Sequence, residues 1–169
     1  MAVMEAAPRW QPSDRAVQAL SGLARGSGWL LLAAGLAARQ RPRAKLAVSS
    51  VILGFGASLL LELGSKLLIH RRRPDKDHGD HDAGPKDMER HSFPSGHAVG
   101  AFACGAAMAT CYPRSAPLAL GVAAAMASAR VYLRRHNPSD VVGGAILGLG
   151  LGLGIPQLIR RWRPSWANE

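Results

Sequence analysis

Three short clusters in this 169-residue chain carry side chains suited to one kind of chemistry. Lys66 is followed, after six residues, by Arg73 and Pro74. Pro94, Ser95, Gly96 and His97 stand together at the mouth of an apolar run. Arg130 is followed after five residues by His136, and His136 after three by Asp140. A phosphate monoester is close to a dianion, and its transition state is stabilised by preorganised positive donors. Lys66, Arg73 and Arg130 supply three such donors, the arginines with a bidentate fork and the lysine as a point charge. Ser95 and Gly96 sit at the start of an apolar helix, where free N–H groups and the helix dipole make an anion site. His97 begins the same helix and so looks into that site. His136 and Asp140 are close enough in sequence to pair. A carboxylate on one imidazole nitrogen would fix the tautomer and leave the other nitrogen free to attack.

The elements that must position these residues are apolar. Apolar residues make up 48% of the chain and glycine adds 19 residues, so a disordered chain is excluded. Mean hydropathy is only +0.03 because long apolar runs alternate with short, highly charged loops. Five runs stand out: Gly26–Ala38, Ala44–Ile69, Gly96–Tyr112, Ser115–Leu133 and Asp140–Ile159. The expected fold is all-α: a multi-pass transmembrane helical bundle of about five membrane helices. Gly26–Ala38 is short for a span and needs Arg25 and Arg39 to snorkel at its ends. An amphipathic helix capped by Ser13 or Asp14 is expected on the membrane surface before it. The expected organisation is thus a surface segment over 1–25, a membrane domain over 26–163 and a tail over 164–169. No cleavable signal peptide is evident. The alternating glycines of Gly148–Gly154 would make a poor helix in water, but in lipid a helix is the way to satisfy their backbone groups. Small residues throughout these runs permit close helix approach. Cys104 and Cys111 fall two turns apart on one helix face, too far for a disulfide, and read as packing residues.

Five helices would place loops 70–95 and 134–139 on one side with the N-terminus. The stretch Arg39–Lys45, Arg114 and the tail Arg160–Arg163 would lie on the other. That second side is basic and nearly free of acids, so the positive-inside rule makes it cytoplasmic and puts the three clusters on the extracytoplasmic face of the cell membrane. The net charge of +10 sits beside apolar runs, where anionic lipid headgroups and phosphate substrates are the natural partners. Few aromatics are available for base stacking, which argues against a nucleic-acid partner.

The three motifs, in this order and spacing, closely resemble those of the type 2 phosphatidic acid phosphatase family. These membrane enzymes share their active site with vanadium haloperoxidases and some bacterial acid phosphatases. The motifs span Lys66–Asp140, and the apolar runs extend the likeness over most of the chain. One departure is visible: the serine that often precedes the third-motif arginine is here Ala129, with Ser128 one position earlier. The resemblance implies that His136 is the nucleophile and forms a phosphohistidine. Asp140 would orient it and stabilise its positive charge. His97 would protonate the leaving alkoxide, and a water would then release phosphate. Lys66, Arg73, Ser95, Gly96 and Arg130 would hold the phosphate. The scheme needs neither metal nor other cofactor.

Each residue also has a plain structural reading. Lys66 could pair with Glu62 at i,i+4, Arg71–Arg73 could anchor at the interface, and Ser95–Gly96 could form a simple turn. Three spaced motifs on one membrane face are what favour a site. Asp75, Asp77, His78, Asp80, His81 and Asp82 have metal-ligand chemistry but no calcium-loop order, and read as a solvated loop, a lid or a headgroup-recognition segment. A soluble haloperoxidase is excluded by the short, apolar chain. A non-enzymatic protein that binds anionic lipids would leave His97, His136 and Asp140 without a reason. A site at the membrane surface suits a phosphate carried on a lipid tail, with polyprenyl phosphates or diphosphates foremost. Phosphatidic acid and phosphatidylglycerol phosphate are further candidates. The Ala-, Gly- and Arg-heavy composition suggests a GC-rich bacterial genome. The resemblance to small actinobacterial members then raises decaprenyl-phosphoryl-phosphoribose, a cell-wall arabinose precursor, as an alternative substrate.

Overall fold

The computed structural model describes Val17 and residues 27–38, 42–69 and 92–162. Apart from Val17, the expected amphipathic helix of the N-terminal segment lies outside the described residues, as do Arg73, the Asp/His loop and the tail from 163 onward. Five α-helices are described: α1 (Ser27–Ala37), α2 (Pro42–Leu68), α3 (Gly96–Cys111), α4 (Ala116–Tyr132) and α5 (Pro138–Trp162). A single 3₁₀ turn, Pro113–Ser115, joins α3 to α4. The described residues are therefore all-α, as expected from the apolar runs.

Proline sets several of the helix starts. Pro42 and Pro138 occupy the first positions of α2 and α5, and Pro117 the second of α4. A missing N–H costs nothing there, because those groups have no partner within the helix. Pro156 lies inside α5, which runs on to Trp162 without interruption. Two hydroxyls inside the helices turn back onto carbonyls of the preceding turn, Ser58 Oγ onto Phe55 O (2.7 Å) and Thr110 Oγ1 onto Ala106 O (2.8 Å). That satisfies them where no water is at hand.

The bundle is inverted relative to a water-soluble one. Its interior is made of small residues: Ala98, Ala101, Ala103, Ala106, Ala107, Ala123 and Ala127 are buried. Its large apolar side chains face out, with Leu60 and Leu118 both 72% exposed and Ile146 64% exposed. Water would penalise such a surface, whereas lipid tails do not, and helix association then depends on close packing. The tightest packing is between α3 and α5. Gly144, Gly148, Gly152 and Pro156 form a stripe of buried small positions at a spacing of four. A Cβ at Gly144 would lie 2.8 Å from the Ser95 carbonyl oxygen, and one at Gly148 2.8 Å from Phe102 Cβ. Gly150 and Gly154 face open space. The alternating glycines thus divide into a packing set and a neutral set.

α3 is the central helix, packed on α2, α4 and α5 and buried along nearly all its length. Below it a core of Trp29, Leu46, Val51, Cys104, Met108 and Cys111 ties in α1 and α2. Both cysteines are buried and free, in agreement with their reading as packing residues.

By length and composition α2 and α5 can each cross a bilayer. Their 27 and 25 residues correspond to about 40 and 38 Å at 1.5 Å per residue. α3 and α4, with 16 and 17 residues, reach about 24–26 Å and fall slightly short of the hydrocarbon thickness. The 11 residues of α1 cover about 16 Å, roughly half of it, so the described part of the first apolar run does not span.

Candidate active site

Four chain segments meet at one end of the bundle. They are the C-terminal turns of α2, the turn before α3, the C-terminus of α4 and the N-terminus of α5. The local sequence explains why each delivers its residue.

The segment Ser92–Ser95 is fixed from two sides. Ser95 is extended (φ −70°, ψ 109°) and serves as the N-cap of α3, but its hydroxyl makes no capping bond. Instead the Ser95 N–H donates to the backbone oxygen of Asp140 (3.0 Å), which joins the start of α3 to the start of α5. The Ser95 Oγ is buried and has no hydrogen-bond partner among the described residues. An unpartnered buried hydroxyl beside the first N–H groups of an apolar helix is a donor set suited to an anion. The ring of Phe93 packs against Gly143, where any Cβ would collide with it. His97, the second residue of α3, is half-buried.

The α4–α5 connection is a tight turn. The Arg130 carbonyl accepts from both the Arg135 N–H (3.0 Å) and the His136 N–H (3.2 Å). Arg134 takes a positive φ of 54° inside the turn. This folding-back carries His136 to the site, and the Nε of Arg130 is shielded from solvent.

His136 is buried, 2% exposed. Its Nδ1 lies 2.8 Å from the Ser92 backbone oxygen. A carbonyl can only accept, so Nδ1 carries the hydrogen, and in the neutral ring Nε2 keeps the lone pair. Asp140 is fully buried. Its Oδ2 stands 3.9 Å from the same Nδ1, within ion-pair range of a protonated ring but beyond a hydrogen bond. The carboxylate accepts instead from the Asn137 N–H (2.8 Å) and lies 3.4 Å from Asn137 Nδ2. With Asn137 as the N-cap of α5, Asp140 occupies the third helical position and reaches back to the cap N–H, as in half of a capping box.

The structure therefore brings Ser95, Gly96, His97, Arg130, His136 and Asp140 to one end of the bundle. Lys66 lies in the last turn of α2, at the same end. Arg73 lies outside the described residues.

Two contributors are not legible in the sequence. The Ser92 carbonyl is a backbone group, and no residue type signals it. Glu62 is visible there only as an i,i+4 partner of Lys66. In the structure it is buried, 9% exposed, with its carboxylate against the Cα of Gly96.

Residues 44–166 match the PAP2 superfamily, and the chain belongs to that family. Among solved structures, the fold is similar to the crystal structure described as the first transmembrane PAP2 type phosphatidylglycerolphosphate phosphatase from Bacillus subtilis. The two share 23% identity with a TM-score of 0.68, over 93% of this chain and 81% of that one. Among curated proteins none matches the chain significantly. The chain is thus a phosphoric ester hydrolase, a lipid phosphatase built as a membrane helical bundle. Family membership sets aside the non-enzymatic lipid-binding reading.

Proposed function

We propose that the chain dephosphorylates a polyprenyl-linked phosphate through a phosphohistidine on His136. The observation that carries the mechanism is the Nδ1 contact with Ser92, which leaves Nε2 as the nucleophilic lone pair. Nε2 attacks phosphorus and the bond to the lipid oxygen breaks. The departing alkoxide takes a proton from His97, giving the lipid alcohol. His97 then accepts a proton from water, whose oxygen attacks phosphorus and breaks the P–N bond, freeing phosphate and His136. Asp140 offsets the positive charge that His136 carries in the intermediate. Arg130, Lys66, Arg73 and the N–H groups at the start of α3 hold the phosphoryl oxygens.

The surroundings favour a phosphate on a lipid tail. α2 runs six residues beyond Glu62, and its exposed Leu67 and Leu68 carry apolar surface past the level of Gly96. A tail can lie along that surface while its phosphate reaches the α3 N-terminus.

The test is release of inorganic phosphate by purified protein from a panel. It comprises undecaprenyl and decaprenyl phosphates and diphosphates, decaprenyl-phosphoryl-phosphoribose and phosphatidic acid. Phosphatidylglycerol phosphate, after which the similar Bacillus subtilis phosphatase is named, completes it. Preferred turnover of the polyprenyl compounds supports the substrate assignment, and preferred turnover of a glycerolipid overturns it. An acid-labile, base-stable phosphoenzyme supports the intermediate.

A further inference from the structure

Glu62 has no part in the mechanism above, yet its carboxylate lies against the first residue of α3, next to Ser95. A Cβ built on Gly96 would coincide with the Glu62 carboxylate, its Oε1 lying 2.5 Å away. Gly96 is the first residue of α3, and its neighbour Ser95 holds a buried hydroxyl with no hydrogen-bond partner among the described residues. The glycine is thus what allows an anionic side chain to lie against the first residue of α3. A carboxylate there sets a negative charge beside the positive end of the helix dipole, which a phosphoryl group would also use.

We propose that Glu62 is an internal counterion of the substrate-free site, displaced by the substrate phosphate and returning as inorganic phosphate leaves. The proposal rests on the reading of Ser95–His97 as the phosphate cradle. Two anions cannot share one helix N-terminus without strong repulsion in a site shielded from water. The apparent affinity for phosphate is therefore reduced by the fraction of molecules in which Glu62 occupies the cradle. Glu62 sits less than two turns from the end of α2, on a side chain with three rotatable bonds. Occupancy by Glu62 favours release of phosphate after each turnover and weakens the binding of any phosphate lacking a lipid tail. In this role Glu62 is a specificity-determining residue.

The experiment measures inhibition by inorganic phosphate and by orthovanadate of the full-length protein in detergent, with phosphatidic acid as the assayed lipid. Wild type, Glu62→Gln and Glu62→Asp are compared. Glu62→Gln removes the charge and should lower the inhibition constant for phosphate roughly tenfold, with KM falling in parallel and kcat reduced as phosphate leaves more slowly. Glu62→Asp draws the carboxylate back by one methylene and should lower the constant by a smaller factor. A constant that is unchanged or raised in both variants overturns the proposal, since a carboxylate that merely positions the basic side chains would weaken phosphate binding when removed. Should Glu62→Gln fail to fold, Glu62→Asp decides alone by the same criterion. A wild type indifferent to both phosphate and vanadate would instead overturn the cradle reading itself.

Discussion

The Nδ1 of His136 is held by the backbone oxygen of Ser92 at 2.8 Å, while the carboxylate of Asp140 stands off at 3.9 Å. The tautomer of the ring is thereby set by the turn that precedes α3, the same turn that carries Ser95 and His97. Ser95 in turn donates its N–H to the backbone oxygen of Asp140. The nucleophile candidate, the cradle and the start of α5 are thus one hydrogen-bonded unit. On the proposed mechanism Asp140 acts on the ring by charge, strengthening its interaction only when His136 becomes cationic.

His136→Ala should abolish turnover and leave no covalent phosphoenzyme. Labelling with a radioactive lipid phosphate, quenched at alkaline pH, measures it. An active variant would move the nucleophile elsewhere, His97 being the next imidazole at the site.

Asp140→Asn separates charge from structure. An asparagine side-chain oxygen can still accept from the Asn137 N–H, so the start of α5 should hold and Tm should change little. The charge that offsets the phosphohistidine is lost, and kcat should fall by about 10²-fold or more. Asp140→Ala loses both, with a further destabilisation of about 1 kcal/mol from the missing cap bond. An unchanged kcat in Asp140→Asn would show that Asp140 acts only as a cap.

The glycines of α5 predict opposite outcomes for one substitution. Gly148→Ala forces a Cβ against Phe102 and the Ala103 backbone and should lower stability, on the order of 1–3 kcal/mol. Gly150→Ala meets nothing within 4 Å, and should leave Tm unchanged or raise it slightly. Thermal unfolding in detergent measures both. Equal effects would place a different face of α5 against α3.

The apolar runs become the five helices because membrane burial leaves the backbone no alternative, and their ends follow from Pro42, Pro138 and the charged residues between them. The alternating glycines read as one group, and nothing in their spacing divides Gly148 and Gly152 from Gly150 and Gly154. That division depends on which face α3 covers. The motif residues are legible because type and spacing carry chemistry. The contacts that set their states are not, since Ser92 acts through its backbone, and Glu62 reaches Gly96 from another helix 34 positions away. The first apolar run is marginal as a span by its sequence, and the 11 residues of α1 are too few to cross.

Charge at the two ends of the bundle bears on which side of the membrane the site faces. Arg43, Lys45, Arg114, Arg160 and Arg161 gather at the end opposite His136, at the start of α2, the α3–α4 turn and the end of α5. No acidic residue accompanies them at that end among the described residues. Arg130, Arg134 and Arg135 lie at the catalytic end, so both ends are basic. The positive-inside rule decides between them only if some arginines at the catalytic end are retained for phosphate. On that reading Arg43 and Arg161 face the cytoplasm and His136 faces outward. Cysteine labelling in intact cells measures the orientation, after Cys104→Ala and Cys111→Ala remove the native thiols. Ala83→Cys, between the first two motifs, should react with a membrane-impermeant maleimide, and Ser165→Cys, beyond α5, should react only after permeabilisation. The reverse pattern would place His136 on the cytoplasmic side, with a substrate made and consumed there.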